Sequence, residues 1–173
     1  MRVLIIGSGG REHAFAHAIR QSDRLSALFV APGNAGILQL ADSAPVDVAD
    51  HSAVGHFCEA ERIDLVIVGP EAPLVDGLAD SLRARGVAVL GPSQAAAELE
   101  GSKAFSKSFF QKHKIRSARF FACDTLAAAE RAIAELGERM VVKVDGLAAG
   151  KGVVVCDSAD DARAAASDRA EQG

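Results

Sequence analysis

Aromatic residues are scarce in this chain. It has no tryptophan, no tyrosine and only eight phenylalanines among 173 residues. Proteins that hold single-stranded nucleic acid stack its bases on aromatic side chains, and this sequence offers few of them. The net charge of −4 is mild, and no basic stripe is present to contact a duplex backbone. The composition therefore argues against nucleic acid as a partner.

Cysteines and long apolar runs are scarce as well. Cys58, Cys123 and Cys156 are odd in number and too widely spaced for a disulfide framework or a zinc pair, so we interpret them as buried thiols in a reducing compartment. The amino-terminal apolar run covers only Val3–Ile6, which is too short for a signal peptide or a membrane span. We expect a soluble, cytoplasmic and monomeric protein that does not bind membranes.

Short apolar runs recur along the first hundred residues, and each is followed by a helical pattern. Runs that are apolar at every position suit strands covered on both faces. The predicted strands are Val3–Ile6, Ala27–Ala31, Val46–Val48, Leu65–Val68 and Val87–Leu90. The predicted helices between them are Glu12–Gln21, Ser52–Arg62 and Leu74–Arg85. This alternation predicts a Rossmann-like parallel α/β sheet in which the loops after the strands share one edge.

The pattern changes near Gly91-Pro92-Ser93, and we place a domain boundary close to residue 101. The elements predicted beyond Ser93 are helices 93–99 and 102–113, a strand Arg119–Ala122, a helix Thr125–Leu136, strands Met140–Val144 and Val153–Cys156, and a last helix capped by Ser158. Residues 1–101 would form one domain, and residues 102–173 would start an α+β unit. Two strands with two or three helices give a thin core, so we expect this second unit to be incomplete.

The turn after the first strand carries the strongest local signal. Gly7-Ser8-Gly9-Gly10-Arg11-Glu12-His13 joins a buried strand to a helix. Glycines let the backbone approach a ligand, and a helix N-terminus supplies free N–H groups with partial positive charge. Arg11 adds a bidentate donor beside them. We expect the amides and the guanidinium of residues 9–11 to face a phosphate, unpaired within the protein.

Other interpretations of this turn can be weighed on the residues. A dinucleotide motif needs glycine at position 12, where Glu12 stands, and an acidic residue after the second strand, which ends in Ala31-Pro32-Gly33-Asn34. A nicotinamide or flavin site is therefore disfavoured. A tight turn with a solvated Arg11, or an Arg11–Glu12 pair, stays open. His13 and His17 lack the zincin pattern, so no metal site is predicted, and His13 is better placed to contact a ligand or cap the turn.

Two further loops belong at the same edge of the predicted sheet. Residues 31–36 read APGNAG and residues 69–74 read GPEAPL. Asn34 and Glu71 are polar residues held between proline and glycine, which alone is more often turn chemistry than function. Because both loops converge with the first turn, a small polar ligand with one phosphate fits this edge.

A second glycine-rich loop lies between two predicted strands, at residues 143–152. It is not a Walker A loop, because position 145 is Asp and position 152 is Gly. Lys143 and Lys151 offer point charges to a nucleotide phosphate, as in a hairpin that folds over its ligand. A mobile hairpin with solvated lysines is the alternative.

The motifs together resemble those of one enzyme family. They are GSGGREHA (7–14), APGNAG (31–36), GPEAPLVDG (69–77), LEGSKAF (99–105) and KVDGLAAGKGVVV (143–155). In this order and spacing the chain resembles the phosphoribosylamine–glycine ligases, or glycinamide ribonucleotide synthetases, of the ATP-grasp superfamily. The resemblance covers essentially the whole chain.

This resemblance implies a reaction of purine biosynthesis with small-molecule partners. ATP would phosphorylate the glycine carboxylate, and the amine of 5-phosphoribosylamine would displace phosphate to give glycinamide ribonucleotide. The implied residues for the phosphoribosyl substrate are Gly9, Gly10, Arg11, Glu12, His13, Asn34, Gly69, Pro70 and Glu71. Those implied for ATP are Lys103, Lys143, Gly146, Gly150, Lys151 and Gly152. No catalytic residue is assigned.

Members of this family are much longer than the 173 residues of this chain, and this difference in length is its main departure from the family. The resemblance places the acidic Mg²⁺ ligands in that later part, so we expect the 173 residues alone to be inactive or nearly so. Two other interpretations stay open. One is a truncated, non-catalytic phosphoribosyl-binding module, and the other, weakened by Glu12, is a nicotinamide-dependent oxidoreductase domain.

Overall fold

The computed structural model of the chain describes residues 1–148 and 151–170. These residues divide into two compact units, the first spanning Met1–Gly101 and the second starting at Ser102. Each unit has its own sheet and its own hydrophobic core. Within the described ranges, no helix is both long and apolar enough to cross a bilayer.

The first unit is a five-stranded parallel sheet with helices on both faces. Its elements are β1 (Arg2–Gly7), α1 (Gly10–Arg20), β2 (Ala27–Pro32), a 3-10 helix (Ile37–Gln39), β3 (Asp42–Ser43), α2 (His51–Ala60), β4 (Leu65–Val68), α3 (Glu71–Val75), α4 (Leu78–Ala84), β5 (Ala88–Leu90) and α5 (Gln94–Gly101). The strand order is β3-β2-β1-β4-β5. The order reverses between β1 and β4, because the chain leaves β1 first towards β2 and later returns on its other side. The predicted Rossmann-like fold is confirmed.

Alternate residues of β1 enter two separate cores. Leu4 and Ile6 pack with residues of α2 and α4 on one face of the sheet. Val3 and Ile5 pack with α1 on the other face. Fully burying an aliphatic side chain of this size contributes about 1.5–3 kcal/mol. A central strand that is covered on both faces therefore needs apolar residues at successive positions, which is the pattern seen in the sequence.

The third strand is not where the apolar pattern predicted it. The prediction of Val46–Val48 is wrong, and β3 is the two-residue strand Asp42–Ser43. The Ala44 N–H still bonds the Val30 carbonyl at 2.9 Å, but Pro45 follows, and proline has no N–H to continue the ladder. Val46 and Val48 are apolar because they pack against the core.

The predicted helix Leu74–Arg85 is also two helices rather than one. Gly77 separates α3 from α4 and has a φ of +94°. This left-handed conformation breaks the helical hydrogen-bond pattern, and glycine adopts it without the steric cost of a Cβ atom.

The second unit is a two-stranded antiparallel hairpin with helices. Its elements are α6 (Lys103–Lys112), α7 (Leu126–Leu136), β6 (Met140–Lys143), β7 (Val153–Cys156) and α8 (Ala159–Ala170). Its core is small and consists of Ile133, Met140, Cys156, Ala162 and Ala165 with partly buried neighbours. No residue of α6 is fully buried. The predicted strand Arg119–Ala122 is wrong, because this segment is irregular and the described residues offer it no strand to pair with.

All three cysteines are free, but they differ in exposure. Cys58 and Cys156 are buried as expected, whereas Cys123 is exposed, so the expectation of buried thiols is wrong for that residue. Burial in the core of the first unit, with the nearby Glu59 carboxylate, raises the pKa of the Cys58 thiol to about 11. Such a thiol stays protonated at neutral pH and is chemically inert.

Candidate functional site

The turn between β1 and α1 presents a helix N-terminus without a side-chain cap. Gly7 has a φ of +128°, and Gly9 is the extended N-cap of α1. A serine or aspartate at this position would accept from the amides of the second or third helical residue, but glycine has no side chain to do so. The first-turn amides of Gly10, Arg11 and Glu12 are therefore open to an oxygen from a ligand.

The Gly9 amide, which was expected to be free, donates a hydrogen bond within the protein. The Oε2 atom of Glu12 accepts from the Gly9 N–H at 2.7 Å, and Glu12 is 5% exposed. The expectation that the amides and the guanidinium of residues 9–11 are unpaired within the protein is therefore wrong for the Gly9 amide, and the Arg11 guanidinium also donates to a protein carbonyl. The possible Arg11–Glu12 pair is also absent among the described contacts, since the two side chains bond different groups.

The Arg11 side chain is exposed but is anchored at the end of β4. Its Nη1 atom donates to the Gly69 carbonyl at 2.7 Å, and the Gly69 N–H donates to the Ile6 carbonyl at 3.1 Å. A guanidinium carries several N–H donors in one plane, so the bond to Gly69 leaves others for a ligand. The loop after β4 thus fixes the cation beside the helix N-terminus.

An open cleft of about 270 Å³ lies next to this guanidinium. Its lining residues are Arg11, Gly69, Glu71, Leu74, Pro92, Ala97 and Glu100. The turns that follow β1 and β4 form part of its wall, and they lie where the strand order reverses. Open α/β sheets bind their ligands at this position. With one guanidinium and two carboxylates, the cleft suits a ligand that has one anionic group and several hydroxyl or amine donors.

Four of these lining residues were not predicted as site residues from the sequence: Leu74, Pro92, Ala97 and Glu100. Leu74 and Ala97 belong to the core of the unit and support the cleft from below. Glu100 lies on α5, which follows the loop after β5. The Gly91-Pro92 pair in that loop was the available signal, because the loop after any strand of this sheet reaches the same edge.

The loop after β2 forms one side of the turn but does not line the cleft. The Asn34 side chain donates from Nδ2 to the Ser8 carbonyl at 2.7 Å, and its Oδ1 accepts from the amides of Gly36 and Ile37. A Cβ atom at Gly36 would lie 2.8 Å from the His13 ring. Asn34 and His13 therefore tie two loops together, and contact of either with a ligand stays a prediction.

The predicted substrate residues thus fall into three groups. Arg11, Gly69 and Glu71 line the cleft. Gly9 and Gly10 are exposed at the start of α1, and Pro70 is the extended N-cap of α3. The remaining three, Glu12, His13 and Asn34, contact other parts of the protein.

In the second unit, the glycine-rich loop is hydrogen-bonded to the start of α6. The Asp145 carboxylate accepts from the Ser102 hydroxyl at 2.9 Å and from the Lys103 and Ala104 amides at 2.6 and 3.2 Å. The Lys103 Nζ atom donates to the Gly146 carbonyl at 2.6 Å. A carboxylate at a helix N-terminus also interacts favourably with the helix dipole.

These bonds change the acidity of Asp145. Burial by itself opposes ionisation, but the hydrogen bonds from the Ala104 amide, the Ser102 hydroxyl and the neighbouring amides outweigh it and lower the pKa of Asp145. The carboxylate is therefore charged at neutral pH, and it keeps the first residues of the loop next to Lys103.

The other predicted ATP-binding residues lie along the hairpin. Lys143 ends β6 and is exposed, as is Lys151 beyond the loop, and Gly146 has a φ of +81°. A Cβ atom at Gly152 would lie 2.6 Å from that of Ala148, so the loop is tightly folded there. Gly150 lies outside the described residues.

The hairpin has one exposed, largely apolar face. Val141 pairs with Val155 and Lys143 with Val153, and directly opposed residues in an antiparallel pair share a face. The three valines are 47%, 74% and 46% exposed, in the order Val141, Val155, Val153. The opposite face packs on α7 and α8. A flat apolar surface with a lysine at one end is suited to a planar base with attached phosphates.

Among the described residues, no group of three or more His, Cys, Asp or Glu side chains is arranged to hold a metal ion. Neither glycine-rich turn carries a cluster of carboxylates. The cationic side chains predicted for ligand binding are Arg11 at the first turn and Lys103, Lys143 and Lys151 along the second.

Comparison with known proteins assigns both units to one family. Residues 1–100 match the family model of the phosphoribosylglycinamide synthetase N domain, and residues 101–173 match that of its ATP-grasp (A) domain. The chain is 51% identical over 165 residues to the phosphoribosylamine–glycine ligase of Mesorhizobium japonicum, covering 95% of this chain and 39% of that protein. It is 47% identical over 170 residues to the enzyme of the same name from Escherichia coli K12, covering 97% and 40%. The chain thus spans about 40% of the length of these relatives.

Solved structures agree with this assignment. A crystal structure of phosphoribosylamine–glycine ligase from Thermotoga maritima matches 95% of this chain and 38% of its own, with a TM-score of 0.74 and 31% identity. An N5-carboxyaminoimidazole ribonucleotide synthetase in complex with ADP has the same TM-score at 24% identity, which shows a shared fold alone. The resemblance drawn from the motifs is therefore confirmed, and the chain belongs to the phosphoribosylglycinamide synthetase family.

Proposed function

We propose that the first unit binds 5-phosphoribosylamine, with the phosphate at the start of α1 and the sugar in the cleft. The observation that carries this proposal is the placement of the Arg11 guanidinium, which is fixed by Gly69 beside an uncapped helix N-terminus. Free amides and a guanidinium are the two protein groups that suit a phosphate best. Glu71 and Glu100 offer acceptors to the hydroxyl groups and the amine of such a sugar.

The second part of the proposal is that the hairpin unit binds ATP. Lys103, Lys143 and Lys151 supply positive charge along the glycine-rich loop, where Gly146 allows the backbone to approach the phosphates and Gly152 lets the loop fold tightly against Ala148. The exposed valines of the hairpin would receive the base. Support comes from the ATP-grasp family match of this unit and from the apolar face that ends in Lys143.

The proposed reaction joins glycine to the ribosyl amine in two steps. A carboxylate is a poor electrophile, so ATP first transfers its terminal phosphoryl group to a glycine oxygen and gives glycyl phosphate and ADP. The amine nitrogen then attacks the glycyl carbonyl carbon, the C–O bond to phosphate breaks, and the amine loses a proton. Positioning and charge stabilisation dominate phosphoryl transfer, and Mg²⁺ normally neutralises part of that charge. The residues described above would bind and orient the two phosphorylated substrates.

We expect the 173 residues by themselves to turn over slowly or not at all, since they span about 40% of the relatives that carry this enzyme name. A purified chain that consumes ATP in the presence of glycine and 5-phosphoribosylamine at the relatives' rate would contradict this. A cytoplasmic, monomeric state is also part of the proposal, and three free cysteines are in keeping with a reducing compartment.

Binding to the isolated chain tests the proposal most directly. Calorimetric titration with ribose 5-phosphate should give saturable binding, and Arg11→Ala should weaken it by at least about tenfold, the loss expected for one charge-assisted hydrogen bond. Arg20→Ala is the matched control, because Arg20 is exposed at the far end of the same helix. Equal losses in the two variants would overturn the substrate site. NAD is expected not to bind, whereas binding of Mg-ATP distinguishes the ligase from a phosphoribosyl-binding module alone.

A further inference from the structure

Glu12 is an unusual residue to find beside a proposed phosphate site. It is the one charged residue among the buried residues of the described chain, and a buried carboxylate is costly unless it is well bonded. It also repels an anion held at the start of its own helix. A side chain that is unfavourable on both counts needs a compensating role.

The contacts of Glu12 show what it does. Its Oε2 atom accepts from the Gly9 N–H, which fixes the residue before α1. Its Oε1 atom lies only 2.0 Å from the position that a Cβ atom of Gly69 would take. Gly7 is also close, since a Cβ atom there would lie 2.7 Å from the Glu12 Cγ atom. Three glycines therefore surround one buried carboxylate.

Gly69 is contacted by two consecutive residues of α1. Arg11 bonds its carbonyl, and the Glu12 side chain occupies the space that a Cβ atom at Gly69 would need. The three protein atoms nearest to a Cβ built at Gly69 all belong to Glu12. The loop after β4 and the start of α1 thus contact each other at Gly69. These contacts set where the guanidinium lies relative to the open amides.

We infer that Glu12 is a positioning residue, which holds the Gly9–Arg11 turn against Gly69 so that amides and guanidinium form one anion site, and that it does not touch the ligand. This inference rests on the proposed function of the first unit. It reassigns Glu12 from the substrate-contacting group, in which the family resemblance had placed it, to the scaffold of the site.

Binding of two probes, inorganic phosphate and ribose 5-phosphate, separates the possible roles. Glu12→Ala should weaken both ligands by the same factor, at least about tenfold, because the shared anion site is displaced. Glu12→Gln keeps the shape and the acceptor for Gly9 and loses the charge, so it should bind both ligands as tightly as the wild type or more tightly. Glu98→Gln, an exposed glutamate on α5, is the control for the charge change.

Three results of this binding experiment would contradict the inference, and each points to a different cause. A loss confined to ribose 5-phosphate in Glu12→Gln would show direct contact with the sugar and overturn the inference. Unchanged affinity in a folded Glu12→Ala chain would leave Glu12 with a merely structural role and overturn it as well. Failure of the wild-type chain to bind either probe would instead overturn the proposed substrate site, and with it this inference.

A second experiment tests the contact between Gly69 and Glu12 without any ligand. Gly69→Ala should lower the melting temperature in the wild-type background, because the new methyl group collides with Glu12. In the Glu12→Ala background the same substitution should lower it much less, since its obstacle has been removed. This non-additivity is the signature of two residues in direct contact. Additive effects of the two substitutions would contradict the packing on which the inference depends.

Discussion

The two units of this chain differ in how their residues are stabilised. In the first, a central strand is buried on both faces, and helices enclose two cores. In the second, one small core holds a hairpin whose other face is exposed, and α6 buries no residue completely. The site of the first unit therefore rests on a packed scaffold, whereas the loop of the second is fixed chiefly by hydrogen bonds to Asp145. Packing keeps a site in place without its ligand, and a few polar bonds do so less firmly.

Core truncation should give the largest effects and should differ between the units. Leu82→Ala removes a side chain that is completely buried in the first unit, and we expect a loss of about 2–5 kcal/mol in its free energy of unfolding. Ile133→Ala should unfold the second unit while leaving the first intact. Urea denaturation followed by hydrogen exchange at β1 and β6 measures both.

The control for these truncations is Val155→Ala, on the exposed face of the hairpin, where we expect a change within about 0.5 kcal/mol. A destabilisation by Val155→Ala as large as that by Ile133→Ala would show that this face is packed in solution, and the contrast drawn between the units would fail.

Alkylation of the buried cysteines sharpens the comparison without changing a core residue. Each buried thiol reacts only when its unit opens, so its labelling rate reports the stability of that unit. The second unit is shorter by about 30 residues, which corresponds to roughly 1.5–4.5 kcal/mol of stability and to a labelling difference of about tenfold to a thousandfold. Cys156 should therefore react faster than Cys58, and exposed Cys123 faster than either. Mass spectrometry of alkylated peptides over time gives the three rates, and equal rates for Cys58 and Cys156 would contradict the comparison.

A smaller loss of stability is expected when the hydrogen bonds between the glycine-rich loop and α6 are removed. Asp145→Ala removes the acceptor of the Ser102 hydroxyl and the first amides of α6, and loss of such a cap typically costs about 1 kcal/mol. Hydrogen exchange at the Lys103 and Ala104 amides should become faster, while β1 keeps its protection. Asp168→Asn is the control, since that aspartate is exposed on α8. Unchanged exchange at Lys103 would show that the loop is held by other contacts.

The same carboxylate predicts a pH dependence whose direction follows from its lowered pKa. The folded chain favours the ionised form of Asp145. Its contribution to stability is therefore complete above the ordinary aspartate pKa of about 3.9 and is lost as the pH falls through the lower folded-state pKa. Protection of the α6 amides should decline over that acidic range in the wild type, and Asp145→Asn should remove this dependence. A decline in protection on the alkaline side instead would contradict the assignment.

Local patterns in the sequence predicted much of the fold. The strands β1, β4 and β7 were found because each is a continuous apolar run, and the helix starts at Ser102 and Ser158 because their hydroxyls accept from amides three residues on. The strand at Val46–Val48 was wrong, because apolar residues serve packing as well as pairing. Strand pairing depends on neighbours that no local window contains.

The site was predicted only in part, for a related reason. The phosphate-sized turn is local, and the sequence located it. The burial of Glu12 depends on Gly69, 57 residues later in the chain, and Asp145 reaches back 43 residues to the Ser102 hydroxyl. The glycines of the first turn were interpreted as room for a ligand and Gly69 as a substrate contact, whereas Gly7 and Gly69 make room for the Glu12 side chain. Only coordinates show which neighbour a glycine accommodates.

The arrangement around Glu12 also constrains how these positions can change over evolutionary time. A larger residue at position 69 would force the Glu12 side chain to move, and loss of Glu12 first leaves unfilled volume next to three glycines. We expect either change alone to destabilise the turn, and the two changes together to be tolerated better. Sequences that diverge here are therefore expected to have exchanged both positions together, and an isolated replacement at either one should be rare among working descendants.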